Sequence, residues 1–151
     1  FEPTSLAPLI NRAMREIGPL LEARKISVEA KVDKELPIVK IDSEKVLQAL
    51  RNLIGNAVKF TPDGGEVTVS ARQRDGAIEV SVADTGPGIP AENLATIFDK
   101  FQQAVSTNSY RIKGTGLGLA IVKHVITSHG GKVWAESQAG QGSTFIFVLP
   151  A

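Results

Sequence analysis

The sequence predicts an α+β domain, a two-layer α/β sandwich in which three helices pack against a mixed, mostly antiparallel sheet. Two patterns predict this class. Apolar residues recur at three- and four-residue steps in three segments, and apolar and polar residues alternate in several others. No internal repeat, heptad or low-complexity stretch points to a solenoid or a coiled coil instead.

The composition is that of one folded domain. The chain has 151 residues, 42% of them hydrophobic, which is enough for one sizeable core. Lys and Arg total 17 and Asp and Glu total 16, and the net charge of +1 argues against nucleic acid or an anionic membrane as a partner. The absence of cysteine excludes disulfides, thiolate metal sites and cysteine nucleophiles.

The start of the chain indicates a domain taken from a larger protein. It begins at Phe1 without an initiator methionine, and no signal peptide precedes the first helical pattern. No apolar run approaches the roughly 20 residues that span a bilayer. We therefore expect one domain over residues 1–151, located in the cytoplasm and without direct membrane contact.

Two helices are predicted in the first sixty residues. Apolar residues at helical spacing predict the first over residues 5–24. The second begins at Asp42 or Ser43, which are residue types that cap helix N-termini, and it runs to about Lys59. Residues 62–65 then carry turn chemistry that ends it.

Six strands are predicted in three pairs. Asp75-Gly76 lies between the third and fourth strands and is a dipeptide that favours a tight hairpin turn. We expect the first two strands to pair with each other across Lys34-Glu35. The predicted strands span residues 26–32, 37–41, 66–74, 77–83, 132–136 and 144–149.

The segment before the last strand pair contains a loop and a third helix. A short helix is predicted near residues 92–97. Residues 90–114 hold few apolar anchors, so a long mobile loop is expected there. Apolar positions from Leu117 onward predict the third helix, which the glycines at 130–131 close.

A polar stripe on the second helix is the first candidate site. Asn52, Asn56 and Lys59 lie at i, i+4 and i+7 and therefore share one face. An amide oxygen is a hard ligand suited to Mg²⁺, and a lysine can meet phosphate as a point charge, so the stripe fits a Mg-triphosphate site. In the alternative interpretation Asn52 is a buried hydrogen-bonding residue and Lys59 a solvated helix end; the spacing alone does not decide.

The segment DTGPGIP, residues 84–90, is the second candidate. It places Asp84 at the end of a predicted strand, before Gly86 and Gly88, which permit close backbone approach. A carboxylate accepts a hydrogen bond from the exocyclic amine of adenine, whereas guanine presents a carbonyl oxygen there, so ATP is favoured over GTP. The alternative is a plain turn closed by an Asx hydrogen bond.

Two glycine-rich turns complete the set. Gly114, Gly116 and Gly118 open the third helix, where unpaired N–H groups and the helix dipole make an anion site. Their spacing is not the dinucleotide fingerprint, and the sequence has no P-loop. In the last turn Thr144 is a candidate for a hydrogen bond to the base, although small residues at 140–144 equally fit a simple turn or bulge.

Taken in order, these segments resemble the N, G1, G2 and G3 boxes of the sensor histidine kinase catalytic domain, and IFDKF at residues 97–101 resembles its F box. The resemblance covers nearly the whole chain. It implies the Bergerat ATP-binding fold of the GHKL superfamily, with ATP or ADP and Mg²⁺ as ligands.

The resemblance also implies individual roles. Asn56 is expected on Mg²⁺, Lys59 on phosphate and Asp84 on the adenine amino group. Phe60 and Ile89 are expected against the adenine. Carried over residue by residue, the nucleotide-contacting set is Asn52, Asn56, Lys59, Phe60, Asp84, Gly86, Gly88, Ile89, Lys100, Lys113, Gly114, Thr115, Gly116, Leu117, Gly118, Leu119 and Thr144.

Residues 98–114 resemble the ATP lid, a loop that closes over the nucleotide and excludes water. Phe98 and Phe101 would be its docking anchors, or else ordinary core residues. The family often has an arginine just after the F box, where this chain has Gln102 and Gln103. The cations left to meet the γ-phosphate are Lys100, Arg111 and Lys113.

The activity that the resemblance implies is transfer of the ATP γ-phosphate to a histidine, the first step of two-component signal transduction. Asn52 stands where related ATPases carry a general-base glutamate, so neither hydrolysis nor a serine acceptor is favoured. His124 and His129 are not expected to be the acceptor. The expected partners are an upstream dimerisation and phosphoacceptor domain and a response regulator receiver domain.

Two other functions compete with this interpretation. The first is a non-catalytic ATP-binding regulatory module of a degenerate kinase. The second is an interaction module without nucleotide, which would leave the polar stripe and the glycine turns without a reason.

Overall fold

The computed structural model describes residues 1–89, 91–94, 97–98, 118–137 and 141–151. Within them the chain forms three long helices, a one-turn helix, a five-stranded sheet and a two-stranded sheet. The predicted α+β sandwich is thereby confirmed. The elements are β1 (Glu2–Thr4), α1 (Leu6–Arg24), β2 (Ser27–Val32), β3 (Val39–Ile41), α2 (Ser43–Phe60), β4 (Glu66–Arg74), β5 (Ala77–Asp84), α3 (Ala91–Leu94), α4 (Gly118–Ser128), β6 (Lys132–Ser137) and β7 (Ser143–Pro150).

The five-stranded sheet has the order β2-β4-β5-β7-β6. β2 runs parallel to β4, and the other neighbours are antiparallel, so the sheet is mixed and mostly antiparallel as predicted. The β4–β5 hairpin turns at Asp75-Gly76, where φ is 52° and 77°. A type I′ turn requires positive φ at both central residues, which explains why this dipeptide stands there.

The predicted pairing of the first two strands is wrong. β2 pairs with β4, and β3 pairs with β1, a strand that the sequence did not predict. The reason is ladder length. β2 and β4 share six register pairs from Ser27 to Val32, whereas the three-residue β3 has three pairs with β1 and is too short for a ladder of six. The longer ladder forms more hydrogen bonds and keeps the apolar side chains of β2 against the core.

The core lies between the helices and one face of the sheet. α2 is central to the helix layer, because it contacts α1, α4, β4 and β5. Its polar stripe is therefore held between α4 and the strand that ends in Asp84. Of the helices in the described part of the chain, none has the length and apolarity to cross a membrane. The largest fully buried side chains include Leu47, Leu50, Leu53, Ile54, Ile78, Leu119, Ile126, Phe145 and Phe147.

The end of α2 is fixed by Arg24, the last residue of α1. Its guanidinium donates hydrogen bonds to the carbonyl oxygens of Val58 and Thr61, and its Nε donates to Asp63 at 3.0 Å. An α-helix leaves its last carbonyls without intrahelical donors. In α2 one more donor is missing, because Pro62 has no N–H to donate to the Val58 carbonyl oxygen. Arg24 supplies the missing donors.

We expect Arg24→Ala to lower the free energy of unfolding by about 2 kcal/mol, since partly buried carbonyls lose their donors. Arg12→Ala is the matched control, because Arg12 forms an exposed ion pair with Glu16 at 3.5 Å. Its effect should stay below about 0.5 kcal/mol. Urea unfolding measures both values, and equal losses in the two variants would contradict the capping role.

Candidate functional site

Asp84 is the last residue of β5 and is 6% exposed. Its Oδ1 accepts a hydrogen bond from the Gly86 N–H at 2.8 Å, and its Oδ2 accepts one from the Ser143 hydroxyl at 2.8 Å. Burial raises the pKa of Asp84 above its ordinary 3.8, and the hydrogen bonds from Gly86 and Ser143 oppose part of that rise. The Asx bond is thus present, yet the two carboxylate oxygens have four lone pairs between them, which is more than the donors of Gly86 and Ser143 occupy.

Two glycines let backbone pack closely around Asp84. A Cβ at Gly86 would lie 2.7 Å from the Phe60 carbonyl oxygen, and a Cβ at Gly142 would lie 2.0 Å from the Asp84 carbonyl oxygen. Gly142 also has a φ of +84°, and Gly88 one of +85°. Gly86 and Gly142 therefore serve the packing of the loops against α2 and β5, whatever ligand they also meet.

The polar stripe of α2 divides into three environments. Asn52 is half-buried, and its Nδ2 donates to the Gly118 carbonyl oxygen at 3.4 Å, which joins α2 to the start of α4. Lys59 is exposed at the last turn. Asn56 is 8% exposed, and its Nδ2 is buried without a hydrogen-bond partner among the described residues. The alternative interpretation accounts for Asn52 and Lys59 but leaves Asn56 unexplained.

The apolar members of the predicted set are also brought into place. Ile89 is 4% exposed, and its N–H donates to the Ser137 hydroxyl at 2.6 Å. Phe60 is half-buried at the end of α2. Phe98 is buried edge-on against Phe145, with ring centroids 5.9 Å apart, as ordinary core packing requires. Leu119, predicted to contact the nucleotide, is fully buried in the core.

Ser143, and not Thr144, is the residue paired with Asp84 in the sheet. In the β5–β7 and β6–β7 ladders Thr144 is opposite Ala83 and Glu136, whereas Ser143 is opposite Asp84. Because side chains alternate along a strand, the Thr144 hydroxyl belongs to the face turned away from the helices. The hydroxyl that meets Asp84 is that of Ser143. The alternation in β7 carried this signal, since Ser143 is two residues before the buried Phe145.

The rest of the predicted set lies outside the described residues. This applies to most of the proposed lid and to the glycine run before α4. The predicted site residues concerned are Lys100, Lys113, Gly114, Thr115, Gly116 and Leu117.

The fold and the site together define a class of protein: an ATP-binding domain with the Bergerat fold. The family model described as histidine kinase-, DNA gyrase B- and HSP90-like ATPase matches residues 41–151. The chain belongs to this family. The resemblance to histidine kinase catalytic domains is thereby confirmed, and binding of ATP is the property that the family shares.

Sensor kinases are among its relatives. The adaptive-response sensory kinase SasA of Synechococcus sp. (strain JA-2-3B'a(2-13)) is 34% identical over 148 residues, which are 97% of this chain and 39% of SasA. Full-length ShkA in complex with AMPPNP has a TM-score of 0.86 and 36% identity, covering 98% of this chain and 30% of ShkA. Histidine kinase ThkA, solved with response regulator protein TrrA, has a TM-score of 0.83 and 30% identity, and the match covers 99% of this chain and 41% of ThkA. The chain thus spans less than half of each.

Proposed function

We propose that this chain is the catalytic domain of a protein-histidine kinase. It binds Mg-ATP and transfers the γ-phosphate to a histidine on a separate dimerisation and phosphoacceptor domain, the first step of two-component signalling. A response regulator receiver domain is the proposed next partner, and the cytoplasm the proposed compartment. The single observation that carries the proposal is the buried carboxylate of Asp84, which Gly86 and Ser143 hold at the end of β5 with lone pairs left for a further donor.

The adenine end of the site is formed by Asp84. Its carboxylate accepts a hydrogen bond from the adenine amino group through the lone pairs that Gly86 and Ser143 leave unused. Guanine presents a carbonyl oxygen at that position, which would leave two acceptors facing each other in a buried place. Ile89 and Phe60 supply the apolar surface beside the base. The site therefore selects adenine.

The Mg²⁺ that accompanies ATP fits the residues present. The α2 stripe offers Mg²⁺ a neutral amide ligand, and the phosphate oxygens of ATP would supply others. The Oδ1 of Asn56 is the hard, neutral oxygen that Mg²⁺ takes, whereas the buried Nδ2 is a donor and cannot bind a cation. A metal bound there would neutralise charge on the phosphates. Lys59, one turn further, meets phosphate directly.

The choice of kinase over hydrolase rests on Asn52. An amide cannot take a proton from water, and its Nδ2 is already engaged with Gly118. An imidazole nitrogen has its own lone pair and attacks phosphorus without a base. The residues of this chain therefore bind and orient the nucleotide, and transfer waits for an acceptor brought close by another domain.

Neither histidine of the chain suits the acceptor role. His129 uses both ring nitrogens, because Nε2 accepts from the Asp42 N–H at 3.0 Å and Nδ1 donates to the Val125 carbonyl oxygen at 2.8 Å. Phosphorylation would break one of these bonds. His124 is exposed on α4 and lacks a following acidic residue. We propose that the acceptor lies outside this chain.

The Mg²⁺ role of Asn56 is tested by calorimetric titration with AMPPNP, with and without Mg²⁺. Wild type should gain about tenfold in affinity from Mg²⁺, and Asn56→Ala should lose that gain while keeping its metal-free affinity within about threefold. Gln73→Ala, which removes an exposed amide on β4, should behave as wild type. An unchanged Mg²⁺ effect in Asn56→Ala would remove Asn56 from the metal site.

We expect the affinity for ADP to fall as the pH is lowered toward the pKa of Asp84, which burial raises above 3.8. The adenine amino group donates, so the site needs the carboxylate, and a protonated carboxyl would add a competing donor. Ser143→Ala removes a hydrogen bond that lowers the pKa of Asp84, so this pKa should be higher in the variant. The affinity of the variant for ADP should therefore begin to fall at a higher pH than that of wild type. Titrations at a series of pH values test both statements. The ADP phosphates titrate equally in both proteins, and superimposed profiles would contradict the assignment.

A further inference from the structure

A hydroxyl outside every motif joins two walls of the site. Ser137, the last residue of β6, accepts a hydrogen bond from the Ile89 N–H at 2.6 Å and donates one to the Gly142 carbonyl oxygen at 2.8 Å. Ile89 follows β5 and Gly142 precedes β7. Ser137 therefore connects the loop after Asp84 to the turn before Ser143.

The hydrogen-bond roles of Ser137 are fixed by its neighbours. A serine hydroxyl has one proton, and the Gly142 carbonyl can only accept, so that proton is directed to Gly142. A lone pair of the same oxygen is left for the Ile89 N–H. Ile89 is 4% exposed and lies among apolar residues, where an N–H without an acceptor is costly.

The two partners of Ser137 shape the proposed adenine pocket from opposite sides. Ile89 is its apolar wall. Gly142 presses its backbone against Asp84, where a Cβ would lie 2.0 Å from the Asp84 carbonyl oxygen, and it precedes the serine that donates to the Asp84 carboxylate. In register, Ser137 is also opposite Ser143. A shift at Ser137 is thus transmitted to both walls.

We propose that Ser137 is a positioning residue for the adenine end of the nucleotide site, which rests on the proposed function. It holds Ile89 and the Gly142 turn at the separation that adenine needs and does not touch the nucleotide itself. Asp84 keeps its bonds to Gly86 and Ser143 without Ser137, so loss of the hydroxyl weakens binding without abolishing it.

The test is calorimetric titration of the full chain with ADP. Ser137→Ala should weaken binding by about tenfold, because the Ile89 N–H loses its acceptor and the wall relaxes. Ser137→Thr keeps the hydroxyl and should bind within about threefold of wild type. Ser137→Val has the shape of the threonine variant without its hydroxyl and should bind like the alanine variant. The control is Ser81→Ala. Ser81 is a half-buried serine on β5, on the opposite face of the sheet from Asp84, so this variant should match wild type.

The threonine and valine variants separate positioning from mere structural support, since they have equal volume and differ only in the hydroxyl. Circular dichroism establishes a temperature at which both are folded, and the titrations are made there. Equal affinities of these two variants would overturn the role of Ser137. Failure of wild type to bind ADP would overturn the proposed function instead, so the two failures are distinguishable.

Discussion

Asp84→Asn is expected to weaken ADP binding by about 100-fold or more while the domain stays folded. The carboxylate accepts from both the Gly86 N–H and the Ser143 hydroxyl, and the adenine amino group would add a further donor. In the variant, the amide nitrogen replaces one of the two accepting oxygens. If this amide nitrogen faces the adenine amino group, two donors meet in a buried place. If it turns away, it is a buried donor without a partner, and either arrangement reduces the affinity strongly.

Folding should survive this change for a specific reason. The asparagine oxygen can still accept from Gly86, and the Ser143 hydroxyl can rotate to accept from the new amide nitrogen. The variant also removes a charge that burial disfavours, as the raised pKa of Asp84 indicates. The unfolding free energy should therefore equal or exceed that of wild type.

The matched control is Glu79→Gln. Glu79 is a carboxylate on the same strand, but its side chain pairs with Arg72 and Arg74 on the face turned away from the helices. Its ADP affinity should equal that of wild type, measured by the same titration. Wild-type affinity in Asp84→Asn would show that this carboxylate does not recognise the base.

Gly142→Ala is expected to cause the largest loss of stability, about 3 kcal/mol or more. The added Cβ would lie 2.0 Å from the Asp84 carbonyl oxygen, which is backbone and cannot move aside as a side chain would. The φ of +84° adds strain that only glycine escapes. The loss should appear as a lower midpoint of urea unfolding without nucleotide.

Alanine variants at two other glycines distinguish the effect of the Cβ clash from that of the positive φ. Gly76 has a φ of +77°, and an added Cβ there would meet nothing within 4 Å, so Gly76→Ala should cost only about 1 kcal/mol. Gly55 lies inside α2, again with nothing within 4 Å, and Gly55→Ala should stabilise the domain by up to about 1 kcal/mol. A cost at Gly142 no greater than at Gly76 would contradict the close packing of the Gly142 turn against Asp84.

Local patterns in the sequence predicted the elements well. The three helices follow from apolar spacing, and the hairpin follows from Asp75-Gly76, because both depend on residues near each other in the chain. Strand partners were predicted less well. The pairing of β3 with β1 depends on competition between ladders that close over dozens of residues, and short apolar runs do not encode it.

The site residues were likewise predicted where the signal is local and missed where the partners are distant. The motifs located Asp84 and Asn52, and the structure joins Asp84 to Gly86 and Asn52 to Gly118. The hydroxyl of Ser143 on Asp84 was not predicted, although alternation along β7 places Ser143 on the same face as the buried Phe145. Arg24 and Ser137 gave no signal, because each binds a backbone group far along the chain. The Val58 carbonyl is 34 residues from Arg24, and the Ile89 N–H is 48 residues from Ser137.

The central claim is that this chain holds an adenine nucleotide through Asp84. Calorimetric titration of wild type with ADP, beside GDP under identical conditions, tests it most directly. We expect one site for ADP and binding of GDP weaker by about 100-fold or more, since the guanine carbonyl would face the Asp84 carboxylate. Absence of ADP binding, or equal affinity for the two nucleotides, would contradict it.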